Sequence, residues 1–319
     1  MRPGRLAGLV LVLAGCQAPS GGGGGGAPDP LAEARELLEQ GQPDAALARL
    51  QGASDPDALF LQGQAWAKKA ETAPLPTAPP LPTQLPRGAT RPAAPRFKNE
   101  EIQAIDCLER AVSGKPELTA ARLALVSLLA PHALASHQER QLARRPRRRG
   151  APEPGPRPVG GPDASPERVL REYRLAAQAD PSGREAIEGW ILFAESLGRL
   201  DEADAAYQEL LKREREKPEP FLRYGDFLRG SRKDPQAAIA QYSQALIWRP
   251  DDERAKARIA DVYLGMAADH IAERQYATAE ARLKDARRYV SDASSPQGRR
   301  LRELQTEVQQ VRGRPPAKY

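Results

Sequence analysis

One spacing recurs six times in this chain: a small residue, then Tyr or Leu four positions on, then Ala or Leu three after that. The copies are Ala46, Leu50, Ala53; Ala104, Leu108, Ala111; Val169, Tyr173, Ala176; Ala203, Tyr207, Leu210; Ala238, Tyr242, Ala245; and Ala279, Leu283, Ala286. Steps of four and three keep three side chains on one face of a helix. The middle copies start 34 and 35 residues apart, and in three copies a Pro (Pro116, Pro181, Pro250) stands five residues past the last member. A period of this length predicts stacked helix pairs, an all-α solenoid in which each unit covers the apolar face of the next.

The copies also carry marks of a preceding helix. Phe221, Tyr224, Gly225 and Leu228 have helical spacing, with Gly225 where a bulkier side chain would block its neighbour. Ile187, Trp190, Ala194 and Gly198 match them in the fourth unit, Gly198 closing its helix, and Ala34, Leu37 and Gly41 do so in the first. Tyr242 and Trp248 are expected to fill the larger gaps. In the sixth unit the first helix runs on through Met266 before Tyr276 starts the second. A last helix over 296–312, with Leu301, Leu304, Val308 and Val311 at helical spacing, is expected as the cap.

These residues resemble the tetratricopeptide repeat (TPR), a 34-residue antiparallel helix pair that stacks into a right-handed superhelix. The resemblance is best for units four and five. It implies that the first helices line a concave face that takes peptides. Glu185, Glu188, Leu192 and Glu195 would then face inward from unit four. Glu219, Leu222, Asp226 and Arg229 would do so from unit five, and Arg254, Ala257, Asp261 and Leu264 from unit six. Acids outnumber bases in that set, which points to a basic or amphipathic partner segment.

The remaining copies are spaced 58, 65 and 41 residues apart. All three excesses fall between the first and second helix of a unit, along one edge. Two of them hold Pro-rich stretches that favour extended polyproline conformation over packing. Disordered insertions are therefore expected at about 72–97 and 140–165 within a solenoid spanning 31–313, with a tail at 314–319. Within 123–130 the chain is apolar but short, and Pro131 is expected to stop it.

The first residues read as a targeting segment. Arg2 and Arg5 precede an apolar run over 6–13, and Leu13, Ala14, Gly15 and Cys16 follow. That tetrapeptide resembles the lipobox of bacterial lipoproteins; the alternative is an ordinary secretory leader that contains a Cys. The resemblance implies cleavage after residue 15 and acyl chains on Cys16. Each buried methylene would add about 0.8 kcal/mol to membrane attachment. Gln17 implies, by the same likeness, the outer membrane facing the periplasm. Residues 16–30, with six consecutive Gly, would form a tether with a reach of about 20 Å.

The formal net charge of +6 describes one segment. Residues 140–158 hold seven Arg against one Glu, so the rest of the mature chain is slightly acidic. This excludes a nucleic-acid reading built on overall charge. Arg144, Arg145, Arg147, Arg148 and Arg149 form an arm that suits anionic lipid or a cell-wall polymer, or is simply solvated. Cys107, the one Cys beyond residue 16, is expected as a small buried hydrophobe rather than a nucleophile. His132, His137 and His270 lack metal-ligand spacing. Asp251 and Asp252 follow Pro250 where a helix cap is wanted. No catalytic constellation, metal site or cofactor is expected.

The sequence thus predicts a lipid-anchored envelope protein, not an enzyme, whose solenoid binds other proteins. An assembly factor resembling pilotins is the narrower version. The rival is a cell-wall adaptor or weak enzyme that uses the Arg-rich arm.

Overall fold

A computed structural model describes residues 29–74, 97–143 and 161–312. Their thirteen α-helices form six antiparallel pairs and a cap, with no strand among the described residues. The pairs are α1 (Pro30–Glu39) with α2 (Pro43–Arg49), α3 (Pro56–Thr72) with α4 (Asn99–Gly114), and α5 (Thr119–Ala143) with α6 (Pro166–Ala179). They continue with α7 (Glu185–Ser196) and α8 (Leu200–Arg213), α9 (Pro218–Phe227) and α10 (Pro235–Trp248), and α11 (Glu253–Ala272) and α12 (Tyr276–Arg287), closed by α13 (Pro296–Arg312). Each pair packs on the next, giving an all-α solenoid.

The recurring triplets are why these helices pair. Their small leading residues, Ala46, Ala104, Val169, Ala203, Ala238 and Ala279, are all fully buried. Tyr242 and Leu108 lie directly over Gly225 and Gly63, where a Cβ would come within 2.3 Å of the tyrosine ring and 2.6 Å of the leucine. Only glycine allows that approach. The first triplet departs: α2 stops at Arg49, and Ala53 sits half-buried in the turn beyond Gly52, whose φ is +81°.

In each of the four units whose inter-helix turn is fully described, that turn uses one left-handed residue. Gly41 and Gly198 supply it at φ +74° and +68°, but Lys233 and Arg274 adopt it at +59° and +61°. Lys233 ends a π turn, Leu228–Arg232, that inserts an extra residue after α9. A side chain in this region costs about 1–2 kcal/mol, partly offset by glycine's greater entropy loss. Lys233→Gly and Arg274→Gly should each therefore stabilise the chain by about 0.5–1 kcal/mol, read as a higher urea midpoint at unchanged slope.

Both long excesses do separate a first helix from its second. The chain leaves after α3 and α5 and returns ahead of α4 and α6, and the two returns are adjacent. Phe97 is buried against His132 of α5 with ring centroids 4.0 Å apart, and Gly161 lies so close that a Cβ would be 2.5 Å from the Phe97 ring. The third excess lengthens α11 to 20 residues, against 12 in α7.

Three expectations are corrected. Pro131 does not stop its helix: α5 runs 25 residues to Ala143, past the expected start of the insertion at 140. Pro131 is exposed, while Leu129 and Ala133 on either side are in the core, so apolar burial outweighs the lost backbone hydrogen bond. Residues Thr119–Leu142 are long and apolar enough to cross a bilayer, but Leu125, Val126, Leu129 and Ala133 are committed to the core instead. Trp248 fills no gap; it is 46% exposed on the outer face of α10 with Gln244 and Ile247. In α13, Leu301, Leu304 and Val308 are buried as expected, but Val311 lies beyond the core they close.

Asp252 caps α11, accepting the Arg254 and Ala255 backbone N–H groups at 2.9 and 3.3 Å. Burial alone would raise this carboxyl; hydrogen bonds from the Arg254 side chain and from those N–H groups outweigh it and hold it below its ordinary 3.8. A depressed carboxyl contributes stability above its unfolded value and loses it as pH falls through the folded one. Asp252→Ala should therefore cost about 1–2 kcal/mol at neutral pH, a difference that closes as both proteins are taken below about pH 4 in parallel urea titrations.

Candidate functional site

The first helices of successive units share one face, and side chains cross it at intervals close to one repeat. Glu188 of α7 binds Arg223 of α9 at 2.6 Å, with Arg184, the N-cap residue of α7, at 2.9 Å. Asp226 of α9 takes Arg258 of α11 at 2.8 and 3.1 Å, and Glu219 takes Arg254 at 3.2 Å. Asp261 of α11 accepts from Gln297 of the cap at 3.1 Å. Carboxylate and guanidinium thus alternate along the face as a ladder.

Second-helix tyrosines reach the same ladder. Tyr207 donates its hydroxyl to Glu195 at 3.0 Å, and Tyr242 donates to Asp226 at 2.8 Å. Between units, Tyr224 donates to Asp204 of α8 at 2.7 Å and stacks on Tyr207, centroids 5.3 Å apart. Burial, then the neighbouring carboxylate, pushes these phenols up, Tyr224 to about 12. They stay protonated donors at any physiological pH.

This arrangement revises the inward-facing set. Glu185, Glu188, Leu192, Glu195, Asp226, Arg229, Arg254 and Asp261 reach the surface in whole or in part, and Leu192 is 47% exposed. Leu222 does not, being 0% exposed within the main core, and Leu264 is buried too. An aliphatic side chain is drawn inward where the charged Glu188 of the preceding unit stays out. The acidic excess also largely disappears, because Arg223 and Arg258 stand among the acids. Sequence reading passed over both, although each lies about one period after its carboxylate, 35 residues after Glu188 and 32 after Asp226. Cys16 and the arm from Arg144 to Arg149 lie outside the described residues.

The rest of the described surface offers less. A cavity of about 360 Å³ between α4 and α6 is lined by Glu109, Asp163, Arg168, Arg171 and Glu172. Its charges are spent within the fold: Arg168 binds Glu109 at 2.5 Å and Glu172 binds Arg122. Cys107 is buried 3.8 Å from Gln62, and burial pushes its thiol up. His137 and His270 bond Gln141 and Gln275. No group of three or more His, Cys, Asp or Glu that could hold a metal occurs among the described residues.

No protein-family model and no curated protein matches the sequence. Among solved structures, it is similar to TTC0263, a thermophilic TPR protein from Thermus thermophilus, at 18% identity and a TM-score of 0.35, covering 73% of this chain and 96% of that one. YrrB, described as a TPR protein with an unusual peptide-binding site, is 15% identical with a TM-score of 0.39, covering 71% and 88%. A TPR protein from Parabacteroides merdae is 11% identical with a TM-score of 0.38, covering 89% and 85%. The solenoid assignment rests on the helix pairing itself.

Proposed function

We propose that this chain is a protein-interaction scaffold, lipid-anchored in the cell envelope, that holds partner proteins along the face of its first helices. One observation carries the reading. α7, α9 and α11 present a continuous face, braced across units by Glu188–Arg223 and Asp226–Arg258, with exposed Leu192 beside the braced charges. A rigid surface with an apolar spot in a polar frame is the usual anatomy of a docking face.

The test places a photo-crosslinking residue at position 192 or, as the outer-face control, at Gln208 of α8. Adducts with a defined protein at 192 and none at 208 support the reading; equal labelling at both, or none at 192, overturns it. The anchor is motivated by the leader and Cys16. Cys16→Ser should release the chain from membranes on fractionation, and a variant that still sediments fully removes the anchor. A role like that of pilotins, assisting assembly of an outer-membrane complex, is the finer form of this proposal. It is tested by loss of secretin or barrel assembly in a deletion strain.

A further inference from the structure

Two groups at the junction of units three and four stand outside the ladder. Tyr173, Tyr207 and Tyr242 hold the same place in three consecutive second helices. The hydroxyls of Tyr207 and Tyr242 are bound by carboxylates of their own units' first helices, Glu195 and Asp226. Unit three cannot do this, because α5 carries no acidic residue from its start until Glu139, near its far end. Tyr173 instead leans over Gly189 of α7, where a Cβ would sit 2.2 Å from its ring, and its hydroxyl has no hydrogen-bond partner among the described residues. Gly189 lies one turn after Glu185 on the same side of α7, so the Tyr173 ring is seated on the helix face that carries Glu185. Burial and then the charge of Glu185 push the hydroxyl up to about 12.

Glu185 is the second exception. Of the six acids expected on this face, Glu188, Glu195, Glu219, Asp226 and Asp261 are each held by an Arg, Tyr or Gln. Glu185 is exposed, one turn before Glu188, with no side-chain partner among the described residues. Two turns further along α7 lies exposed Leu192. Next to α7 runs α5, whose partly exposed Leu123, Leu128 and Leu134 carry no charge.

We infer that Glu185 and the Tyr173 hydroxyl form a cation-reading subsite, which takes a Lys or Arg side chain from a partner segment whose aliphatic residues lie on Leu192 and α5. The inference rests on the scaffold reading and adds the partner's chemistry. Of the six acids on the face, Glu185 alone has no side-chain partner among the described residues, so its carboxylate has every acceptor position open to a cation. The cation would be held by Glu185, with its remaining N–H or the neighbouring backbone carbonyl meeting Tyr173.

The test pans a random 12-residue peptide library on the full mature chain, on Glu185→Lys and on Tyr173→Phe, with each fold checked by circular dichroism and thermal midpoint. Wild type should enrich a basic residue next to aliphatic ones. Glu185→Lys should exchange that preference for an acidic residue, a gain that misfolding cannot produce. Selected peptides should bind Glu185→Gln about tenfold and Tyr173→Phe about threefold more weakly, in the range for a charged and a neutral hydrogen bond. If peptides are selected but their sequences are the same on wild type and Glu185→Lys, the subsite is wrong and the scaffold reading stands. If wild type selects no peptide, both fall.

Discussion

Arg122→Met should lower the stability of this solenoid by roughly 3–5 kcal/mol, the cost of leaving a buried charge without its partner. Arg122 and Glu172 join α5 to α6 at 2.5 Å, with only a tenth of each side chain exposed. The guanidinium also binds the Pro116 carbonyl at 3.1 Å, tying the pair to the end of the preceding unit. Removing the arginine leaves the buried Glu172 carboxylate beside apolar Leu125 and Val112, with only the largely exposed Arg171 remaining, at 3.9 Å. The ion pair itself need not add net stability, since taking both charges out of water costs about what their attraction returns. The double variant Arg122→Met, Glu172→Leu should therefore recover most of the loss. Urea denaturation of the four proteins of this cycle checks both statements. A double variant as unstable as the single one would mean that the pair has a net stabilising role.

Tyr242→Ala should cost a similar roughly 3–5 kcal/mol, by a different mechanism. The ring is fully buried and lies on Gly225, so its loss opens a void between α9 and α10 that the backbone there cannot close. Asp226 also loses one of its two donors and keeps Arg258. Tyr242→Phe isolates that second part and should cost only about 1–2 kcal/mol. The converse variant, Gly225→Ala, puts a methyl 2.3 Å from the ring and should cost about 1–3 kcal/mol by overpacking. The two are not independent. With the ring gone the new methyl has room, so the double variant should be less damaged than the sum of the singles, a coupling measurable in the same denaturation series.

Much of this architecture was legible before any coordinates. Five of the six triplets lie wholly on second helices and the first only begins on one, and Gly225 and Gly198 do what their positions implied. Pro116, Pro181 and Pro250 all stand just past helix ends, and the cap begins at Pro296 as read. These features are local: a small residue, a glycine or a proline acts through the backbone within one or two turns. The misreadings are of another kind. Pro131 was read as a stop because its own backbone effect is local, whereas what keeps α5 helical is burial of Leu129 and Ala133 against other units. Leu222 was placed on the docking face by repeat position alone, yet an aliphatic side chain there goes to the core.

The candidate site shows the same division. Its carboxylates were identified from the repeat position, but their state was not. Whether Glu188 is an open charge or a brace depends on Arg223, 35 residues away, and Asp226 likewise depends on Arg258 and Tyr242. Only the stacked helices bring such groups within 3 Å. Conversely, Glu185 looked like one of six equivalent acids, and its distinction appears only once the other five are seen to be held.

By itself, then, the sequence determined the number of units, the small-residue contacts that pair their helices, and the edge on which the insertions leave and return. Those follow from a period set by short-range helix geometry and steric size. The tertiary structure alone decided which charges on the docking face remain open, because electrostatic partnership is a matter of distance in space between residues a full repeat apart.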